Sequence, residues 1–173
     1  MPHYTYGRRS SARSGSPQTP WVNHSWHVAL YVSPCGLTTS TIPYGERTFA
    51  LEFDFLKHVL RTSTEEGSVR EIALSPRPVA EFYADVMQAL SRLGIDVQIN
   101  TMPNEIPNPV RFSEDYAHES YDGEYAQRFW RILLQVDRLL HEFRTAFIGK
   151  CSPVHFFWGS FARRPENRVT ARR

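Results

Sequence analysis

An α+β fold is what the sequence predicts: an antiparallel-dominated sheet of five to seven strands with two helices packed on one of its faces. Three observations carry this expectation. Residues 47–55 read RTFALEFDF, where apolar and polar side chains alternate with the period of a strand. Short segments of similar character lie on either side, joined by connections of a few residues, which suit antiparallel neighbours. Two longer stretches, beginning near residues 75 and 122, repeat their apolar residues every three or four positions, the period of a helix lying on a sheet.

Taken in order, residues 1–19 are rich in Ser, Arg, Pro and Gly, carry no hydrophobic period, and are expected to be a disordered basic tail. In SWHVALYVS, Trp26, Val28, Leu30 and Val32 alternate with His27, Ala29 and Tyr31, which predicts the first strand. Pro34–Gly36 is a turn, LTTSTI a second strand, and Pro43–Gly45 a second turn. The strand at 47–55 puts Phe49, Leu51, Phe53 and Phe55 on one face and Ala50, Glu52 and Asp54 on the other. His58–Thr64 and Ser68–Leu74, joined at EEG, read as a hairpin.

A helix start follows at SPRPVAEF, with prolines in the first turn and an acid soon after. Its stripe is Val79, Phe82, Val86, Leu90 and Leu93, and Gly94 is the expected C′ residue. Ile95, Val97 and Ile99 alternate and predict a further strand. Residues 100–120 hold three prolines and no sustained period, so they are a long loop of the kind that often carries function. Asp122 caps a second helix running to about Ile148, with Ala126, Phe129, Trp130, Leu133, Val136, Leu140, Phe143 and Phe147 as its stripe. After Gly149, KCSPVHFFWGSF (150–161) is the final strand, and 162–173 a disordered Arg-rich tail. The expected organisation is therefore one domain over 20–161 between two tails.

The composition, 41% hydrophobic and 13% aromatic over 173 residues, is that of a globular chain able to build one core. No apolar run approaches the roughly 20 residues that span a bilayer, and the first residues lack an apolar signal core. A cytoplasmic protein of bacterial type is the expectation. Cys35 and Cys151 make no disulfide framework and no CxxC motif, and are read as free thiols used in packing. The net charge of +2 divides unevenly: +3 in residues 1–19, +4 in 162–173 and −5 in between. An acidic core repels phosphate, which argues against specific nucleic-acid binding.

Four features bear chemistry. NHSWH places His24 and His27 three apart, able to share a metal only if Asn23–Ser25 is a turn, because i and i+3 of a strand face opposite ways. Glu52 and Asp54 share the polar face of the 47–55 strand, about 7 Å apart by strand rise, as two carboxylates of one site or as a solvated face. His118 lies in the long loop beside Asp115, Tyr116, Glu119 and Tyr121, where function or a plain surface are both open. His155 lies among the aromatics of the final strand, where a satisfied core histidine competes with a site histidine. The pocket this assembles has His27, His155 and Glu52 as acid–base residues and Tyr31, Tyr44 and Trp158 as walls. His24, His27 and His155 are the set that would hold a divalent metal. The bound partner would be a small molecule; the alternative is an interaction domain, or a truncated product without function. No phosphate loop, dinucleotide fingerprint, nucleophile elbow or HExxH motif is present.

The motifs NHSWHVALYVS, GLTTSTIPYG, RTFALEFDF, LSPRPVAEFYADVMQAL and above all GKCSPVHFFWGSF resemble a bacterial family, domain of unknown function family 5996, from about Trp21 to Phe161. The resemblance implies membership and no activity. It also implies that the segments outside those bounds differ from the family pattern, as out-of-frame reading of GC-rich DNA would produce; ten arginines against two lysines between 20 and 161 suit such DNA. The expectation is a partial family domain, whose final strand offers an open Phe- and Trp-rich edge for self-association. An intact reading frame in the family's register on either side of the locus supports this, and a clean in-frame gene overturns it.

Overall fold

The computed structural model describes residues 29–103, 108–149 and 151–156. Among these residues, six strands form one antiparallel sheet: β1 (Leu30–Val32), β2 (Gly36–Thr39), β3 (Ile42–Tyr44), β4 (Arg47–Asp54), β5 (Val59–Thr64) and β6 (Val69–Ala73). Two helices follow, α1 (Val79–Arg92) and α2 (Gly123–Thr145), with a single 3-10 turn at Phe112–Glu114 between them. The α+β reading and the strand number hold. The strand order is β1-β2-β4-β5-β6, and β3 also pairs with β4. LTTSTI is thus two strands. β2 flanks β4 at Glu52–Asp54 and β3 flanks it at Arg47–Phe49, with a break at Ser40–Thr41. Pro43, expected in a turn, sits in β3, an edge strand where its missing N–H costs no ladder bond.

The register puts Leu37, Phe53, Leu60 and Ile72 in one row across four strands. That row faces both helices. Toward α1 it joins Ile42, Phe49, Phe82, Val86, Leu90, Leu93 and Ile95; toward α2 it joins Phe55, Ala126, Trp130 and Phe156. Phe53 packs against both clusters, so the helices share one sheet face as the Phe49–Phe55 alternation requires. Leu60, at the centre, is fully buried, which contributes about 1.5–3 kcal/mol.

Helix ends follow the local chemistry. The Asp122 carboxylate accepts the Tyr125 N–H at 3.0 Å, the expected N-cap. Gly94 ends α1 at φ 72°, where the left-handed backbone suits glycine, and the N–H groups of Gly94 and Ile95 return to Ser91 and Leu90. The start of α1 differs. Pro78 offers no side-chain cap, and the N–H groups of Val79 and Ala80 donate instead to the carbonyls of His118 and Asp115, both at 3.0 Å. The long loop caps α1.

One expected strand is corrected, and another is described only in part. Residues 95–99 join no ladder. The Ile95 N–H closes α1, and the Asp96 N–H and C=O both bond the Tyr44 hydroxyl, so a side chain at the edge of β3 takes the place of a partner strand. The described part of 150–161 makes one antiparallel bridge, Phe156 to Leu30, with N–H···O distances of 2.7 and 2.9 Å. Its remainder lies outside the described residues, as do both tails. Cys35 is half-buried and Cys151 is exposed, so packing is not the role of Cys151.

Candidate functional site

The residues picked from sequence fall on different sides of the sheet. Tyr31, Thr38, Glu52, Arg61 and Glu71 form one paired row on the face away from the helices. Tyr31 and Glu52 are therefore separated by Thr38, about 10 Å across two strand spacings. Glu52 accepts a 2.7 Å hydrogen bond from the Ser33 hydroxyl. His155 reaches the same face, its ring 6.5 Å from that of Tyr31, and its Nδ1 donates to the Pro153 carbonyl at 2.7 Å. Asp54 is buried and accepts the N–H groups of Leu56 and Lys57, so its carboxylate holds the β4–β5 turn. Tyr44 lies on the helix side, bonded to Asp96. His24, His27 and Trp158 lie outside the described residues. Among the described residues, no three His, Cys, Asp or Glu side chains gather where a metal could be held.

A cleft of about 280 Å³ opens instead on the helix face, between the start of α1, the long loop and the sheet. Phe53, Phe55, Phe82 and Phe112 are its aromatic floor; Arg77, Asp115, His118 and Tyr121 are among the polar groups of its wall. The local sequence explains each placement. Arg77 stands between Pro76 and Pro78, whose rings fix the backbone on either side. Its guanidinium bonds Asp85 at 2.6 Å and the Ala73 carbonyl at 2.9 Å and lies 5.0 Å over the Phe82 ring. Its Nε is buried with no partner among the described residues.

Asp115 and His118 form a pair. Both Asp115 oxygens lie 2.9 Å from His118 Nδ1, and Oδ1 also accepts the N–H groups of Ala117 and His118. Burial raises the Asp115 carboxyl, but the hydrogen bonds from the His118 ring and the two backbone N–H groups outweigh it and hold the pKa below its ordinary 3.8. An ionised Asp115 requires the proton on His118 Nδ1, which leaves Nε2 to make hydrogen bonds at the cleft rim. Because the folded pKa is depressed, the associated stability is complete above about pH 4 and is lost as pH falls through the folded value. Asp115→Asn is expected to lower unfolding stability at pH 7 by about 1–3 kcal/mol, with the gap closing toward pH 2. Equal gaps at both pH values in urea titrations would contradict this.

On the α2 side the wall is Tyr121, whose hydroxyl lies 3.0 Å from His58 Nδ1, with the two rings edge to face at 6.1 Å. His58 holds a left-handed backbone, φ 54°, and its carbonyl accepts the Leu74 N–H. A Cβ on Gly123 would stand 2.7 Å from the His58 ring, so only glycine at the first residue of α2 leaves the imidazole its seat. Gln127 Nε2 approaches His58 Nε2 at 3.5 Å. Burial, and next the charge of Asp122, raise the Tyr121 pKa above 10.0, so the phenol stays protonated through the physiological range. Neither His58 nor Arg77 stands out in the sequence as a site residue, although the flanking prolines of Arg77 were a usable signal.

No helix among the described residues is long and apolar enough to cross a membrane. The chain matches, over residues 16–163, the family described as Family of unknown function (DUF5996), and it belongs to that family. Neither a curated protein nor a solved structure matches it.

Proposed function

We propose that this member of a family of unknown function is a small-molecule-binding domain, and that its ligand occupies the cleft between α1, the long loop and the sheet. One observation carries the reading: an apolar floor of phenylalanines meets the Asp115–His118 pair and Tyr121 in a single concavity. Its volume, near 280 Å³, falls just below the roughly 300–1,000 Å³ usual for such sites and suits a single-ring ligand. Titration of toluene into the full chain, followed by NMR of the cleft phenylalanines, is expected to show saturable binding. Val79→Trp fills the cleft from the first turn of α1 and is expected to weaken that binding at least tenfold while circular dichroism is unchanged. No saturation in the wild type, or binding indifferent to Val79→Trp, overturns the reading.

A second reading rests on α2, of whose residues Ala126 and Trp130 are buried. Ile132, Val136, Leu139 and Phe143 step by four, three and four along an outward seam, and each is at least 42% exposed. With Leu140, Phe147 and Ile148 they present on the order of 700 Å² of apolar surface. That exceeds the ~300–600 Å² patch of a typical monomer and approaches the ~800 Å² per partner of a stable interface. The occupant proposed is a second copy of this chain, since a seam of this spacing is self-complementary about a two-fold axis. Sedimentation velocity at tens of micromolar is expected to show a dimer, and Leu139→Glu with Phe143→Glu a monomer. A monomeric wild type sinks this reading, including the case where residues 1–28 or 157–173 protect the seam from hydrogen exchange.

A further inference from the structure

The geometry points to the Tyr121 hydroxyl, oriented by His58, as the donor that recognises an uncharged carbonyl oxygen on a ligand held in the cleft. This rests on the small-molecule reading of the same cleft and adds the chemical class of its occupant.

The direction of the hydrogen bonds follows from what each atom can do. With the Gln127 amide nitrogen, which only donates, 3.5 Å from His58 Nε2, the tautomer assigned to His58 is the one that accepts at Nε2. A neutral imidazole that accepts at Nε2 carries its proton on Nδ1. Nδ1–H then donates to the Tyr121 oxygen at 3.0 Å, and the phenolic proton of Tyr121 is released to point elsewhere. Tyr121 lines the cleft, so elsewhere includes the space beside Phe53, Phe55 and Leu74. The hydroxyl keeps that proton because burial and Asp122 oppose its ionisation.

The seat of His58 is built. Its left-handed backbone is a conformation a residue with a Cβ seldom holds, and here the Leu74 N–H on the His58 carbonyl and the Asp54-capped turn pin it. Its ring lies where any side chain at position 123 would stand.

Charge selects among oxygen acceptors. Asp122 adjoins Tyr121, and Asp115 lines the same cleft with its carboxyl held ionised. Arg77, the fixed cation of the wall, gives one N–H from each terminal nitrogen to Asp85 and the Ala73 carbonyl, and its charge is matched by Asp85. A carboxylate would meet the like charge of Asp115 in the wall and a guanidinium whose charge is already paired with Asp85. A ketone, aldehyde or amide oxygen accepts from Tyr121 without that repulsion, while its hydrocarbon body lies on the phenylalanines.

Three single-ring probes test this by NMR titration of the full chain: toluene, acetophenone and benzoate. Acetophenone is expected to bind at least fivefold tighter than toluene, and benzoate no tighter than toluene. Tyr121→Phe, which removes one oxygen atom, is expected to erase the acetophenone preference and leave toluene unchanged. His58→Leu is expected to do the same, and His58→Gln, which still offers a donor, to restore part of the preference, a pattern that simple loosening of the turn would not give. Toluene binding without a carbonyl preference, a preference that survives Tyr121→Phe, or tighter binding of benzoate overturns this inference and leaves the cleft reading standing. If none of the three probes binds, both fall.

Discussion

Trp130→Ala is expected to destabilise the domain by about 3–5 kcal/mol, the range for truncating a large buried aromatic. Trp130 is 5% exposed and packs with Leu37, Phe55, Ala126 and Phe156, while its indole N–H donates to the Ser33 carbonyl at 3.0 Å. Of the residues of α2 only Ala126 shares this burial, with Phe129, Leu133 and Leu134 half-buried beside it, so Trp130 is the largest fully inserted anchor of a 23-residue helix. With total stabilities near 5–15 kcal/mol, the loss would leave the helix detached under mild denaturant. Urea unfolding followed at 222 nm measures it, and a loss under 1 kcal/mol would show that α2 is held otherwise. Trp130→Phe separates the two contributions: packing is largely retained, the Ser33 carbonyl loses its donor, and about 1 kcal/mol is expected to go.

Gly36→Ala is expected to be nearly as damaging, about 3 kcal/mol or more, because the space is occupied by main chain. A Cβ at Gly36 would run into the Phe53 carbonyl and stand 3.2 Å from the Phe55 ring. Neither the β2–β4 register, Gly36 opposite Asp54, nor the turn bonds between Ser33 and Gly36 can shift without separating strands. The backbone of Gly36 is not left-handed, so the cost comes from close approach alone. Gly67→Ala is the control: its φ is +80° with nothing near its Cβ, and strain of about 1–2 kcal/mol is expected. Similar losses in the two variants would refute the close-approach account.

Periodicity made most elements legible. The alternation in RTFALEFDF assigned the helix-facing side of β4, and Asp122 and Gly94 marked helix ends correctly because capping is chemistry between near neighbours. IDVQI misled because its alternation reports burial, and a buried extended segment need not pair: Ile95 is in the core while the Tyr44 hydroxyl takes the Asp96 main chain. The apolar residues of α2 were read as one stripe, yet Val136, Leu140, Phe143 and Phe147 are exposed, since the described sheet lies under only the first half of the helix.

The candidate site shows the same division. The His118 neighbourhood was visible because an Asp three residues before a His, in a proline-rich loop, is a local pattern. His58, 63 residues from Tyr121, was not visible, and neither was the reason for Gly123. By itself the sequence determined the fold class, the inward face of the central strand, the helix caps and the membership of the family, all set by short-range chemistry or by shared motifs. Tertiary structure alone decided that the long loop caps α1, that Gly36 must lack a side chain, that Tyr121, Asp115 and Arg77 line one cleft, and that His58 backs Tyr121. Those outcomes depend on which distant backbones approach within hydrogen-bonding distance, and periodicity along a chain carries no record of that.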